Sequence, residues 1–247
     1  MSETEKEDAL LGGKVRLLQF KDGYRVAIDP VLLAAAVPAK AGQRVLDLGC
    51  GVGAASLSLA ARLPGVRVSG LEIQKPLVDL ARRNAVLNNC GDDVSFFDGD
   101  LMDPPGGIAE GGFDHVMVNP PYQGADTGNP PPGAAKALAN VEGEAKLVDW
   151  VGAALRAVRA KGSVTFIHRA DRIEELLAAM YGNFGETLIF PLWPGQDKPA
   201  KRVIVSARKG VASQARINPG LVLHKEDGSF SDQAQAVLKD AAALSVS

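Results

Sequence analysis

The segment Val45-Leu46-Asp47-Leu48-Gly49-Cys50-Gly51-Val52-Gly53 runs an apolar stretch straight into a turn with glycine at every second position, and residues 54–62 continue with helical spacing. Strand, glycine turn and helix in that order describe a β-strand whose carboxyl end opens onto backbone that a ligand can approach closely. The alternation then repeats. Apolar runs at 66–71, 94–97, 113–118 and 163–168 read as further strands, and amphipathic patterns at 75–88, 147–158 and 171–180 read as helices between them. Runs at 187–191 and 202–207 read as a closing pair. The pattern predicts a doubly wound, mostly parallel, seven-stranded α/β sheet of the Rossmann-like kind.

Around that sheet, residues 39–210 form the main domain, 1–38 an N-terminal extension over the ligand site, and 211–247 a small appendage. In the extension, 15–20 and 24–28 pair as a hairpin about Asp22-Gly23, and a short helix starts at Pro30. In the appendage, a turn at 225–228 leads to a helix opened by Ser231. The amino terminus, Ser2-Glu3-Thr4-Glu5-Lys6-Glu7-Asp8, is polar and acidic where a secretory leader needs a basic and then an apolar region. A cytoplasmic protein is expected. Two cysteines and three scattered histidines have no metal-site spacing, so no metal is expected.

Three acids mark the ends of successive strands. Asp47 precedes the glycine turn, where a carboxylate disfavours a pyrophosphate but suits an ammonium or sulfonium cation. Glu72 follows the second strand and can accept both hydroxyls of a ribose. Asp100 follows the third and can accept from an adenine amino group, with Ile73 and Leu101 flanking the ring. Gly49, Gly51 and Ala54 also satisfy a loose dinucleotide fingerprint, and nicotinamide enzymes use an acid at the place of Glu72, so a dehydrogenase stays open. The acid in the turn favours S-adenosylmethionine, held by Asp47, Gly49, Cys50, Gly51, Gly53, Glu72, Ile73, Asp100 and Leu101.

The fourth strand ends in Asn119-Pro120-Pro121-Tyr122. An asparagine carbonyl and a proline-stiffened backbone carbonyl can accept both hydrogens of a planar amino group while a tyrosine ring stacks beside it. A methyl donor next to an amine holder implies N-methylation. A donor-binding module without catalysis is the reading from another class. It conflicts with the presence of both Asp47 and Asn119.

The amine motif resembles that of the class I methyltransferases that modify adenine, guanine or glutamine nitrogens. With Leu17-Leu18-Gln19-Phe20-Lys21-Asp22-Gly23-Tyr24-Arg25-Val26-Ala27-Ile28-Asp29-Pro30 and Lys198-Pro199-Ala200-Lys201-Arg202-Val203-Ile204-Val205, the chain resembles the bacterial tRNA adenine-N6 methyltransferases over residues 10–210. The resemblance implies that Asn119 and the Pro120 carbonyl hold the target nitrogen, that Tyr122 stacks on the base with Pro121 beside it, and that Tyr24 and Asp29 fold over the donor. It implies a tRNA partner. Where related chains read Ala-Arg-His-Glu, this one has Ala139-Asn140-Val141-Glu142. A protein glutamine or a small amine would fit the same two acceptors.

Overall charge is −2, but residues 151–210 hold 10 Lys and Arg against 5 Asp and Glu, while residues 1–150 hold 14 against 20. Lys198, Lys201, Arg202, Arg208 and Lys209 are therefore the expected phosphate contacts.

Overall fold

The structure, a computed structural model, describes residues 5–21, 26–108, 111–122 and 145–246. The expected Asp22-Gly23 turn, Tyr24, the 123–135 loop and residues 139–142 lie outside these.

In chain order the elements are β1 (Glu5–Leu10), a 3-10 turn Leu11–Gly13, β2 (Val15–Phe20), α1 (Asp29–Ala36), β3 (Arg44–Leu48) and α2 (Ala54–Arg62). Next come β4 (Arg67–Glu72), α3 (Lys75–Leu87), β5 (Val94–Asp98), β6 (Phe113–Val118), α4 (Leu147–Ala157) and β7 (Val158–Arg169). The chain continues with α5 (Ile173–Met180), β8 (Phe184–Trp193), β9 (Arg202–Lys209), β10 (Arg216–Ile217), β11 (Leu221–Val222) and α6 (Asp232–Asp240).

The main sheet runs β10-β8-β9-β7-β6-β3-β4-β5, with β11 also on β8. β9 is antiparallel to β7 and β8 and the other pairs are parallel, so the seven expected strands form a doubly wound sheet. The short parallel additions β10 and β11 extend it to nine strands. One face packs on α1, α2 and α3 and the other on α4 and α5, giving a separate apolar cluster on each side. Strands covered on both faces read as continuous apolar runs, which is why Val45–Leu48 and Val116–Val118 were legible.

The N-terminal hairpin differs from expectation. β2 pairs antiparallel with β1, Glu5 facing Phe20, and residues 26–28 form no strand. β1 is a poor strand former by composition, being largely acidic. Its side chains find partners instead: Arg83 donates to Glu5 at 2.6 Å, Arg16 to Glu7 at 2.7 Å and Gln19 to Asp8 at 3.1 Å.

The other edge of β2 is closed by side chains. Asn84 on α3 and Asn88, the residue that caps its carboxyl end, lie one turn apart, and each uses its carboxamide as a strand would. Leu18 N donates to Asn84 Oδ1 at 2.8 Å and Asn84 Nδ2 donates to Leu18 O at 3.1 Å. Arg16 N donates to Asn88 Oδ1 at 2.8 Å and Asn88 Nδ2 donates to Arg16 O at 2.7 Å. Asn84 Nδ2 also donates to Val52 O at 3.0 Å, tying the hairpin to the glycine turn. Unpaired strand edges expose backbone donors and acceptors, and this pair of amides covers one.

Asn84 is fully buried, so Asn84→Leu leaves the Leu18 N–H and the Leu18 and Val52 carbonyls without partners. The expected loss is roughly 3 kcal/mol. It is read as a lower urea midpoint at unchanged slope, and an unmoved midpoint would refute the latch.

Candidate active site

β3 and β6 are neighbours in the middle of the sheet, with Leu48 in register with Val118. After them the chain departs in opposite directions, β3 into α2 on one face and β6 toward α4 on the other, and such a switch point leaves a crevice at the carboxyl edge. The glycine turn and Asn119 both lie on that edge.

The turn folds back on β4, Gly49 N and Cys50 N both donating to Leu71 O at 2.8 and 3.0 Å. Gly49 has φ +70°, and a Cβ there would lie 2.6 Å from Trp150 Cη2, so glycine is required for packing. Gly51, at φ +54°, has nothing within 4 Å of where its Cβ would be among the described residues. That open side is where a ligand's atoms can meet the backbone. Gly53 closes the turn, donating to Cys50 O at 2.9 Å, and the Cys50 side chain is buried behind it.

The acids divide by burial. Asp47 is buried, and Ser56 donates to its Oδ2 at 2.7 Å. Burial pushes its pKa up from 3.8 to about 7, the Ser56 hydrogen bonds hold it down, and the Glu72 charge adds to the rise. Glu72 spans two loops, accepting from Gly51 N at 3.0 Å and from Gln74 N at 2.9 Å, and burial raises its pKa as well. Two buried acids beside each other, with no basic side chain bonded to either among the described residues, favour a positively charged occupant. Asp100 is exposed and accepts from Met102 N at 2.8 Å. Leu101 is half-buried, and Ile73 is 63% exposed at the end of β4, an apolar side chain in water beside the acids. The open backbone at Gly51, the acid pair and this apolar group fit an adenosyl donor carrying a sulfonium.

Asn119, Pro121 and Tyr122 are half-buried and Pro120 is buried. Tyr122 Oη lies 2.6 Å from Asp29 Oδ2 and 2.8 Å from Asn119 Oδ1. Arg202 Nε donates to Asp29 Oδ2 at 3.0 Å, and its guanidinium sits 4.3 Å from the centre of the Tyr122 ring. The structure thus brings Asp29, from the start of α1, to the amine motif. Arg202 is bound to Asp29 and stacked on Tyr122, where a phosphate contact had been expected.

Of the other basic residues, Arg208 and Lys209 lie at the opposite end of the sheet, since β9 runs antiparallel to β7. Lys209 Nζ caps the end of α4 through Leu155 O and Val158 O at 2.7 and 2.9 Å, and Arg208 pairs with Glu186 at 3.0 Å. Neither can share a phosphate with the crevice. Lys198 and Lys201 are exposed in the β8–β9 turn, at the same end as Asn119.

Two residues of the site had escaped the sequence reading. Ser56, in the first turn of α2, is the partner of Asp47. His168 is fully buried near the end of β7, with its ring 5.7 Å from that of Tyr122 and no hydrogen bond to either nitrogen. Burial, reinforced by Arg172, Arg202 and Arg169, lowers its pKa to about 4 and keeps it neutral. A polar residue at a strand's carboxyl end was the available signal, as it was for Asp47 and Glu72.

The family model "Methyltransferase small domain" matches residues 25–131. The tRNA1(Val) (adenine(37)-N6)-methyltransferase of Porphyromonas gingivalis (strain ATCC BAA-308 / W83) is 30% identical over 223 residues, covering 85% of both chains. The enzyme of the same name from Dickeya chrysanthemi (strain Ech1591) is 27% identical over 227 residues, covering 87% of both. Among solved structures, a predicted O-methyltransferase from Agrobacterium tumefaciens superimposes with a TM-score of 0.74 at 25% identity, covering 87% of this chain and 98% of that one. The chain belongs to the family of S-adenosylmethionine-dependent methyltransferases that includes the tRNA1(Val) (adenine(37)-N6)-methyltransferases.

Proposed function

We propose that this protein transfers a methyl group from S-adenosylmethionine to the exocyclic N6 of an adenine in tRNA. The observation that carries the reading is the β3–β6 pairing, which sets the glycine turn and Asn119 at adjacent strand ends. The similarity to enzymes of that name, over 85% and 87% of this chain, supports the acceptor.

Bound S-adenosylmethionine supplies a methyl group activated by a positive sulfur for in-line displacement. The protein's part is placement and electrostatics. Asp47 and Glu72 supply negative charge at the donor end, behind the backbone of Gly51. Asn119 Oδ1 and the Pro120 carbonyl accept the two hydrogens of the amine, favour its pyramidal form and so concentrate the nitrogen lone pair toward the methyl. No dedicated base is needed, because the nitrogen becomes strongly acidic once alkylated. The target base has to leave its stack, which costs least in a single-stranded loop. Lys198 and Lys201 meet phosphates beside it, with charge strengths set by salt.

The first test is incubation with labelled donor, tRNA and protein extract, followed by nucleoside analysis. Label recovered as N6-methyladenosine is expected, whereas label in protein alone would overturn the acceptor. Asn119→Ala removes one acceptor, so transfer drops by a factor of about 100 to 1,000. Donor affinity by calorimetry stays near wild type, and a matching loss there would mean that the two pockets are misassigned.

Donor affinity also follows pH. In the free protein Asp47 gains a proton as pH falls through about 7, while a cationic ligand favours its charged form. Affinity therefore rises from pH 6 to pH 8, by up to about tenfold per unit below the pKa. Asp47→Asn flattens this profile, and an unchanged slope in that variant would exclude Asp47 as its source. Lys198→Glu with Lys201→Glu weakens tRNA binding and lowers the slope of log affinity against log salt by roughly 2. A slope equal to wild type would move the RNA surface elsewhere.

A further inference from the structure

The Tyr122 hydroxyl carries one hydrogen, yet it stands within hydrogen-bond distance of two oxygens, Asp29 Oδ2 at 2.6 Å and Asn119 Oδ1 at 2.8 Å. Asp29 is ion-paired to Arg202 and can only accept. It is also the nearer and the more strongly charged of the two, so it takes the phenolic hydrogen. Arg202 can donate to the phenolic oxygen as well, but that leaves the contact with Asn119 Oδ1 unrelieved: two oxygens 2.8 Å apart with no hydrogen between them repel, and a turn of the Asn119 side chain removes the conflict. The carboxamide turns over, so that Nδ2 donates to the phenolic oxygen. The oxygen and nitrogen of a carboxamide are told apart only by such partner counts. The opposite end of the same carboxamide has no protein partner among the described residues, so it is the end free to meet a ligand.

We propose that Asp29 and Tyr122 are positioning residues: Asp29 takes the Tyr122 hydrogen, Tyr122 takes one from Asn119 Nδ2, and Asn119 Oδ1 is thereby fixed outward as the acceptor for the target amine. The inference rests on the N-methyltransferase reading of Asn119. An amide in the other orientation would present hydrogens to hydrogens and reject the same amine. Arg202 completes the unit by holding Asp29 at 3.0 Å and covering the Tyr122 ring at 4.3 Å, so neither partner can rotate freely. The device joins residues 29, 119, 122 and 202, which come from three separate parts of the chain: the start of α1, the end of β6 and the start of β9.

The test has two arms. In uniformly 15N-labelled full-length protein without donor, the Asn119 side-chain amide pair is assigned by its absence in Asn119→Ala. One of its two protons is expected to be slow to exchange, and Tyr122→Phe, which keeps the ring, and Asp29→Asn, which keeps the volume, are each expected to abolish that protection. The second arm is kinetic. Asp29→Asn lowers kcat roughly 100-fold, as expected for a misaligned acceptor, with donor affinity unchanged. Added to Tyr122→Phe, the same substitution changes kcat by less than about twofold, because Asp29 then has no hydrogen to hold.

An amide pair that Tyr122→Phe leaves unchanged overturns the proposal. So does a double variant much slower than Tyr122→Phe alone, since Asp29 would then act through Arg202. The spectroscopic arm needs no acceptor, so it stands or falls apart from whether tRNA is the substrate.

Discussion

The parallel pairing of β3 with β6 is the constraint on which the site depends. It places Leu48 beside Val118, both fully inside the sheet, and it makes the two chain departures diverge. Pairing these strands in the wrong register would turn apolar side chains of one toward polar surroundings, so the alternation that holds the core also fixes which atoms meet at the crevice. Donor and acceptor groups therefore need no loop of their own to find each other. The glycine turn is the end of one strand and the amine motif is the end of its neighbour.

The second requirement is that α1 stay where it is, and much of the remaining structure serves this. All eight residues of α1 are buried, which a helix apolar on every side must be, and it packs between α2, β7 and α6. Its last carbonyls are claimed from outside: Arg62 donates to Ala34 O and Val37 O at 3.0 and 2.9 Å, and Leu244 N donates to Ala35 O at 2.8 Å. Asp29 stands at its other end. The C-terminal segment, remote in sequence from any motif, is thus joined through one short helix to the carboxylate that faces Tyr122. α6 also rests on the 3-10 turn of the hairpin, where Lys14 Nζ donates to Lys239 O at 3.0 Å.

What could be read from the sequence was what local chemistry decides. Apolar runs, glycine turns and the Ser231 cap, whose Oγ accepts from Ala234 N at 3.2 Å, each declare themselves within a few residues. β1 did not, because its acidic side chains are matched by Arg16 and by Arg83 on α3, and a strand stabilised from a distance has no apolar signature. Arg208 and Lys209 were grouped with Arg202 by nearness in sequence, but an extended strand carries them to the far edge of the sheet. Arg202 itself, expected to contact phosphate, is instead paired with Asp29. Its partner Asp29 lies 173 positions earlier, and no periodicity or spacing could have paired them.

The two halves of the crevice differ in charge in the way their ligands demand. At the donor end Asp47 and Glu72 are buried together with no basic side chain bonded to either among the described residues, and their raised pKa values record the cost of holding negative charge out of water. A cation placed there relieves that cost and so contributes to the donor's binding energy. At the acceptor end the carboxylate of Asp29 is matched by Arg202, and the neighbouring His168 is kept neutral. An uncharged amine gains little from charge in that half and is held by hydrogen-bond geometry. Moving one charge across this divide would harm both functions. A cation beside Asp47 would compete with the donor, and loss of Arg202 would leave Asp29 free to attract the positive sulfur toward the place where the amine must stand.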